Sequence, residues 1–116
     1  MNTIYKNDNH EKRYKNIINT LNHTDLDTRA MLFIITGVDG LYHKINDIVS
    51  PNERIIYKEK IKSIDNRLSS SERRLLSLAI HLFDGDEEQD IVKLFNSLDI
   101  DNTALVLNAF KIRFKI

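Results

Sequence analysis

The chain has 116 residues, no cysteine, and 17 basic side chains balanced by 17 acidic ones. Its length fits one domain, 1–116, with a core large enough to be stable without disulfide bonds or metal ions. The absence of cysteine excludes disulfide scaffolds, thiolate metal sites and thiol nucleophiles. Zero net charge argues against a dedicated nucleic-acid binder, because phosphate neutralisation usually needs a basic excess. No apolar run approaches the roughly 20 residues of a membrane span, and the polar start lacks the apolar core of a signal peptide, so we expect a cytoplasmic protein without membrane contact.

The first predicted helix runs from about 9 to 22. Asp8 and Glu11 have the spacing of a capping box, in which the cap side chain and the Glu each bind a free backbone N–H. Apolar residues then recur at helical spacing. His10 lies on the first polar turn, where exposure to solvent is the favoured interpretation.

The second predicted helix is capped by Thr24 or Asp25 and ends at Gly37, since glycine takes the left-handed cap conformation at little cost. Apolar residues cover more than half of its circumference, which is typical of a helix at the centre of a core. These residues are Leu26, Ala30, Met31, Phe33, Ile34 and Ile35.

Two further helices are predicted in the middle of the chain. Asp39 to Val49 has the apolar spacing of a short third helix. Ser50, Pro51 and Glu53 together form the strongest start signal in the sequence, with a Ser cap, Pro in the first turn and Glu at the third position. The fourth helix is expected to run to about 63, with a narrow and basic face that places it at the periphery.

The fifth predicted helix is the most complete. Ser69 or Ser70 caps it, Glu72 lies in its first turn and Gly85 ends it. His81 is interpreted as an interior or boundary histidine with satisfied hydrogen bonds. The inward face is broad and apolar: Leu75, Leu76, Leu78, Ala79, Leu82 and Phe83.

The last two helices follow directly. Asp86 and Gln89 repeat the capping-box spacing at the start of the sixth helix, whose inward face is expected to hold Ile91, Val92, Leu94, Phe95 and Leu98. Asp99 or Asp101 caps the seventh. From Phe110 to Ile116 apolar and basic residues alternate, which permits a short edge strand, although helix to about 113 is favoured. The sequence therefore predicts an all-α, compact single-domain bundle of six or seven short helices, with a short extended C-terminal tail as the alternative at its end.

The charges are unevenly distributed. From Arg54 to Arg74 there are seven basic residues against three acidic ones, and from Asp84 to Asp101 seven acidic against one basic. Arg73 and Arg74 begin a helix, where the dipole disfavours cations, so we expect partners for them, first an acid of the sixth helix and second an external molecule. The candidate partner-binding residues are Arg73, Arg74, Asp84, Asp86, Glu87 and Glu88.

Several familiar chemistries do not fit. An EF-hand starting at Asp84 would need Gly and Glu where Gln89 and Phe95 stand. The four histidines have no metal-ligand spacing. The serines at 69–71 are explained by capping. The segment 37–40, which begins and ends with glycine, is shorter than a phosphate loop and lacks its Lys. No catalytic residue, metal ligand or cofactor is predicted.

Three blocks, at 32–42, 68–85 and 94–114, together with Asn9-His10 and Arg13, resemble an uncharacterised family of small all-helical proteins. Phages and integrated mobile elements of low-GC Gram-positive bacteria encode its members. The similarity covers most of the chain except about 44–66. It implies a small accessory protein of a mobile element and no defined activity.

Three hypotheses of function remain. The first is a non-enzymatic module that binds a host or mobile-element protein, with inhibition of a host defence system as one role. The second is a nucleic-acid-binding regulator that uses the basic face around Arg54–Arg74. The third is a small enzyme whose site is assembled from scattered residues such as His10, His81 and Asp39. Self-association as a homodimer is an additional alternative.

Overall fold

The computed structural model describes residues 4–86 and 88–116 and shows a compact all-α domain. Within these residues, no helix is long and apolar enough to cross a membrane. The α-helices are α1 Asp8–Asn19, α2 Leu26–Thr36, α3 Asp39–Tyr42, α4 Lys58–Ile64, α5 Ser70–Asp84, α6 Ile91–Ser97 and α7 Ile100–Phe114. The other elements are β1 Val49–Ser50, β2 Ile55–Ile56 and 3-10 turns at Ile45–Asp47 and Asp65–Arg67.

Helix α2 is the centre of the molecule, as its sequence predicts. Every residue from 30 to 36 is buried. The helix packs chiefly against α5 and α7, and also against α1 and α3. Because other helices contact α2 on several sides, its apolar residues are not confined to one face of the helix.

Helix α5 begins and ends as predicted. Ser69 Oγ accepts a hydrogen bond from the Glu72 N–H (3.1 Å), and the Glu72 carboxylate accepts one from the Ser69 N–H (2.8 Å). Gly85 closes the helix with φ of 77°, in the left-handed region that favours glycine. Both ends are therefore determined by local chemistry.

The middle of the chain differs from the prediction. The third helix stops at Tyr42, and residues 50–53, read as the strongest start signal, instead lead into the connection of a two-stranded antiparallel hairpin. Ser50 pairs with Ile55 across it. The amide of Asn52 accepts from the Asn22 N–H (2.8 Å) and donates to the Thr20 carbonyl (2.9 Å), so long-range bonds take the place of helix capping.

Three helix ends are shifted from the expected positions. Asn7, and not Asp8, caps α1 by accepting from the His10 N–H (2.8 Å), and the helix ends at Asn19. Asp90, and not Asp86, caps α6. The Gln89 side chain instead donates to Ser77 Oγ at 2.7 Å.

Helix α7 is capped by Asp99 and continues to Phe114. The alternating tail is thus helical, and the extended alternative is wrong. Lys111 and Arg113 lie in the last turn, where cations complement the helix dipole.

Candidate partner-binding site

The two arginines predicted to bind a partner lie near the start of α5 and line a surface groove of about 250 Å³. The opposite wall includes Glu88, Gln89 and Asp90. The structure thus brings together three of the six predicted residues, Arg73, Arg74 and Glu88.

The ion pairing of these arginines differs from the expectation. Arg73 Nε lies 3.9 Å from the Asp65 carboxylate, and both side chains are about half exposed. The acid therefore comes from the 3-10 turn before α5, and not from the sixth helix. Arg74 makes no ion pair or side-chain hydrogen bond among the described residues. Exposed pairs of this kind contribute little to stability, so folding leaves both cations available.

Two of the predicted acids do not line this groove. The Asp84 carboxylate accepts from the Asp86 N–H (2.9 Å), and Asp86 forms an ion pair with Lys58 at 2.5 Å. These contacts hold the turn after α5 against the start of α4. Glu87 lies outside the described residues.

The structure shows two exposed apolar residues that the sequence placed inside. Ile91 is 50% and Val92 71% exposed, so the prediction of an inward position is wrong for both. The remaining predicted contacts hold α6 in place, with Leu94 buried and Phe95 and Leu98 packed against the core. Ile91 is only the first residue of the helix, and the core does not extend far enough to cover it.

A strip of aromatic rings continues this surface onto α7. The ring of Phe110 lies 6.4 Å, centre to centre, from those of Phe95 and Phe114. Leu107, one helical turn before Phe110, is 46% exposed, and Phe114 is 57% exposed. We define the α6–α7 surface as Ile91, Val92, Phe95, Leu107, Phe110 and Phe114.

A separate polar cavity of about 370 Å³ contains His10 and Asp39. His10 is 1% exposed, so its predicted exposure is wrong. Its Nδ1 accepts from the Lys6 N–H (2.9 Å), and Nε2 lies 2.9 Å from the Phe33 carbonyl, to which it donates. Burial is the main cause that lowers the pKa of His10 to about 4, helped by the positive charges of Lys6 and Arg13.

The other residues of the enzyme hypothesis do not complete a catalytic arrangement. Asp39 forms an ion pair with Arg13 at 2.5 Å, and this hydrogen bond lowers the pKa of the Asp39 carboxyl. Both ring nitrogens of His10 are occupied by backbone bonds, which leaves no free atom for general base catalysis. His81 does not line this cavity, and its Nδ1 is buried without a hydrogen-bond partner in the described part, contrary to the expected satisfied ring.

The close approach of α5 to α3 explains one glycine of this region. A Cβ on Gly40 would lie 1.8 Å from a Glu72 carboxylate oxygen. Among the described residues no group of three or more His, Asp or Glu side chains could hold a metal ion.

The fold and this site define a class: a compact all-α domain with a charged groove beside an exposed apolar helix. The sequence of residues 1–115 matches the model of a family of unknown function, DUF6075. The chain therefore belongs to that family. Neither a curated protein nor a solved structure matches it.

Proposed function

We propose that the chain is a non-enzymatic protein-binding module of a phage or mobile element of a low-GC Gram-positive bacterium. It acts in the cytoplasm of the host cell and binds a host or mobile-element protein through the α6–α7 surface. The single observation that carries the proposal is the exposure of Ile91 and Val92 beside the exposed aromatic strip of α7.

Folding does not account for this exposure. Isolated exposed apolar residues are ordinary, whereas a connected apolar patch with a polar rim is typical of interaction sites. Here Phe95 and Phe110 are in ring contact, and Ile91 and Leu107 lie one helical turn from them.

The polar residues beside the α6–α7 surface resemble the rim of a protein–protein interface. The groove on the other side of α6 contains Arg74, Lys93, Glu88 and Asp90, so cations and carboxylates flank the apolar centre. Such a rim contributes orientation and rate of association more than affinity. We infer a partner surface that is apolar at its centre and carries both signs of charge at its edge. Blocking a host defence protein is one role that binding alone could perform.

An affinity experiment in host cells tests the proposal. A tagged wild-type chain is expected to recover a stoichiometric partner, and the double variant Ile91→Ser/Val92→Ser is expected to recover at least tenfold less, since buried apolar anchors dominate such interfaces. Ile55→Ser is the matched control, because Ile55 is 45% exposed on the hairpin, outside the α6–α7 surface. Equal recovery by the double variant would contradict the proposed surface, and absence of any stoichiometric partner would contradict the function.

Self-association is the second candidate, and one observation favours it. Ile100, Leu107 and Phe114 recur every seven residues on α7, and all three are exposed. Heptad spacing on an open helix face suits pairing with a second copy of the same helix. Light scattering after gel filtration distinguishes a dimer from a monomer, and Leu107→Ser should abolish a dimer of this kind.

The nucleic-acid and enzyme hypotheses have less support. Of the seven cations between Arg54 and Arg74, Arg54, Lys58, Lys62 and Arg73 are in ion pairs with carboxylates. This arrangement reduces the positive field that phosphate binding requires. A gel-shift titration that shows salt-sensitive binding would revive the regulator hypothesis.

A further inference from the structure

A third concave site, a cleft, lies on the side of the molecule formed by α1, the start of α2 and the end of α7. Its volume is about 470 Å³, in the range of small-molecule sites. Four cationic side chains line it, namely Lys15 of α1, Arg29 of α2, Lys111 of α7 and Lys115 just after α7. No carboxylate of the described residues lines it. The cleft is therefore strongly positive in a chain of zero net charge.

Most of this charge is not neutralised within the chain. Lys15 forms an ion pair with Glu11 at 2.6 Å. Arg29, Lys111 and Lys115 form no ion pair and no side-chain hydrogen bond among residues 4–86 and 88–116. The Nε–H of Arg29 is moreover buried without an acceptor. Elsewhere in the molecule, Arg13, Arg54 and Lys58 each have a carboxylate.

The helix dipole explains only part of the cluster. Lys111 and Lys115 lie at the carboxyl end of α7, where cations are favoured. Arg29 lies near the amino end of α2, where the dipole disfavours a cation. An arginine in that position, without a carboxylate, indicates that its charge serves another purpose.

The rest of the cleft is aromatic and aliphatic. Tyr5, Tyr14, Ile18 and Ile112 line it beside the cations. The Tyr14 hydroxyl is protonated at neutral pH, as any tyrosine is, and can donate a hydrogen bond; burial raises its pKa further, to about 12. The Arg29 charge acts on this same hydroxyl. The cleft thus combines anion-binding donors with surfaces against which a flat apolar group can pack.

We propose that this cleft binds a small organic anion, a phosphate monoester attached to an aromatic body. Arg29, Lys111 and Lys115 hold the phosphate, and the tyrosine and isoleucine side chains pack against the aromatic body. A doubly charged phosphate suits three unpaired cations better than a singly charged carboxylate does. The inference is independent of the proposed protein partner, since the cleft and the α6–α7 surface share no residue.

Titration of the labelled protein with phenyl phosphate, followed by NMR, tests this site. Saturable shifts are expected at Tyr14, Ile18 and Ile112. Benzoate, phenol and inorganic phosphate should each bind at least fivefold more weakly, because each lacks the dianion or the aromatic body. Absence of saturation would overturn the proposal. Equal affinity for inorganic phosphate would show an adventitious anion only, and equal affinity for benzoate would overturn the phosphate assignment.

Two variants test the residues. Arg29→Gln and Lys111→Gln should each weaken phenyl phosphate binding about tenfold, as loss of one charge-assisted contact implies. Lys60→Gln, which removes an exposed cation on α4, is the matched control and should bind as the wild type does. Lys111 lies at an exposed helix end, so its variant decides the matter even where Arg29→Gln fails to fold. Unchanged binding by Lys111→Gln would contradict the site, and so would unchanged binding by a folded Arg29→Gln.

Discussion

Helices α2 and α6 have similarly apolar sequences and opposite positions in the molecule. In α2 eight of 11 residues are buried, and four other helices pack around it. In α6 one of seven is buried, and the two residues that open the helix face outward. Apolar residues in α2 are thus explained by folding, whereas Ile91 and Val92 in α6 are not. The difference separates residues that stabilise the protein from residues available to a partner.

The largest expected effect is in α2. Phe33 is fully buried and its ring lies 4.5 Å from that of His10 and 5.2 Å from that of Tyr14. Phe33→Ala should lower the free energy of unfolding by about 3–5 kcal/mol, since it removes a large ring and leaves a cavity. Urea denaturation measures the change. A loss below about 1 kcal/mol would show that α2 is not the centre of the core.

The next largest effect is a dependence of stability on pH, which arises from the contact between His10 and α2. The pKa of His10 falls from 6.5 in the unfolded chain to about 4 in the folded one. Between these pH values the unfolded state binds more protons than the folded state. The stability that the neutral His10 contributes is therefore present above pH 6.5 and decreases as the pH falls toward 4. The loss attributable to His10 should reach about 3 kcal/mol by pH 4.

Urea denaturation at a series of pH values measures this loss. The variant His10→Gln should lose most of the dependence between pH 6.5 and 5, where the carboxylates remain ionised, whereas His43→Gln, which alters an exposed histidine, should retain it. Retention of the full slope by a folded His10→Gln variant would contradict the assignment.

Two helix caps offer a smaller and more direct comparison. Ser69 caps α5, which packs against α2, and Asp90 caps α6 by accepting from the Lys93 N–H at 3.1 Å. Ser69→Ala should reduce global stability by about 1 kcal/mol. Asp90→Ala should instead speed amide exchange in α6 about fivefold with little global change, because α6 opens locally. Equal global losses would show that α6 unfolds only together with the core.

The smallest effect is expected at the α6–α7 surface. The double variant Ile91→Ser/Val92→Ser should change the free energy of unfolding by less than about 1 kcal/mol, since the side chains face outward. Thermal or urea unfolding of the purified variant measures this directly. A larger loss would mean that these residues stabilise the fold. Reduced partner recovery would then reflect destabilisation of the variant and not the loss of a contact with the partner.

Much of the fold could be predicted from local chemistry. The capping box of Ser69 and Glu72, the left-handed Gly85 and the apolar circumference of α2 each act within a few residues, so their effects are visible in the sequence. The all-α class and the helical end of α7 follow from the same kind of signal.

The site was only partly predictable. Arg73 and Arg74 were predicted as partner-binding residues because a cation at a helix start lacks a local explanation, and the structure places both in one groove with Glu88. The exposure of Ile91 and Val92 was missed because their spacing is that of a core face, and no sequence signal marks where a core ends. The cationic cleft was missed because its charges are separated by up to 100 positions in the chain and meet only when α1, α2 and α7 pack.

By itself, the sequence determined the all-α class, the positions of α2, α5 and α7, and which helix lies at the centre, since these depend on local hydrogen bonds and apolar periodicity. Only the tertiary structure decided that residues 50–53 lead into a hairpin, because the Asn52 amide bonds to the end of α1. It also decided that His10 is buried, because the Phe33 carbonyl and the Lys6 N–H satisfy both ring nitrogens. Long-range hydrogen bonds and the limits of the core are properties of the packed chain, and these decide which surfaces remain open to a partner or ligand.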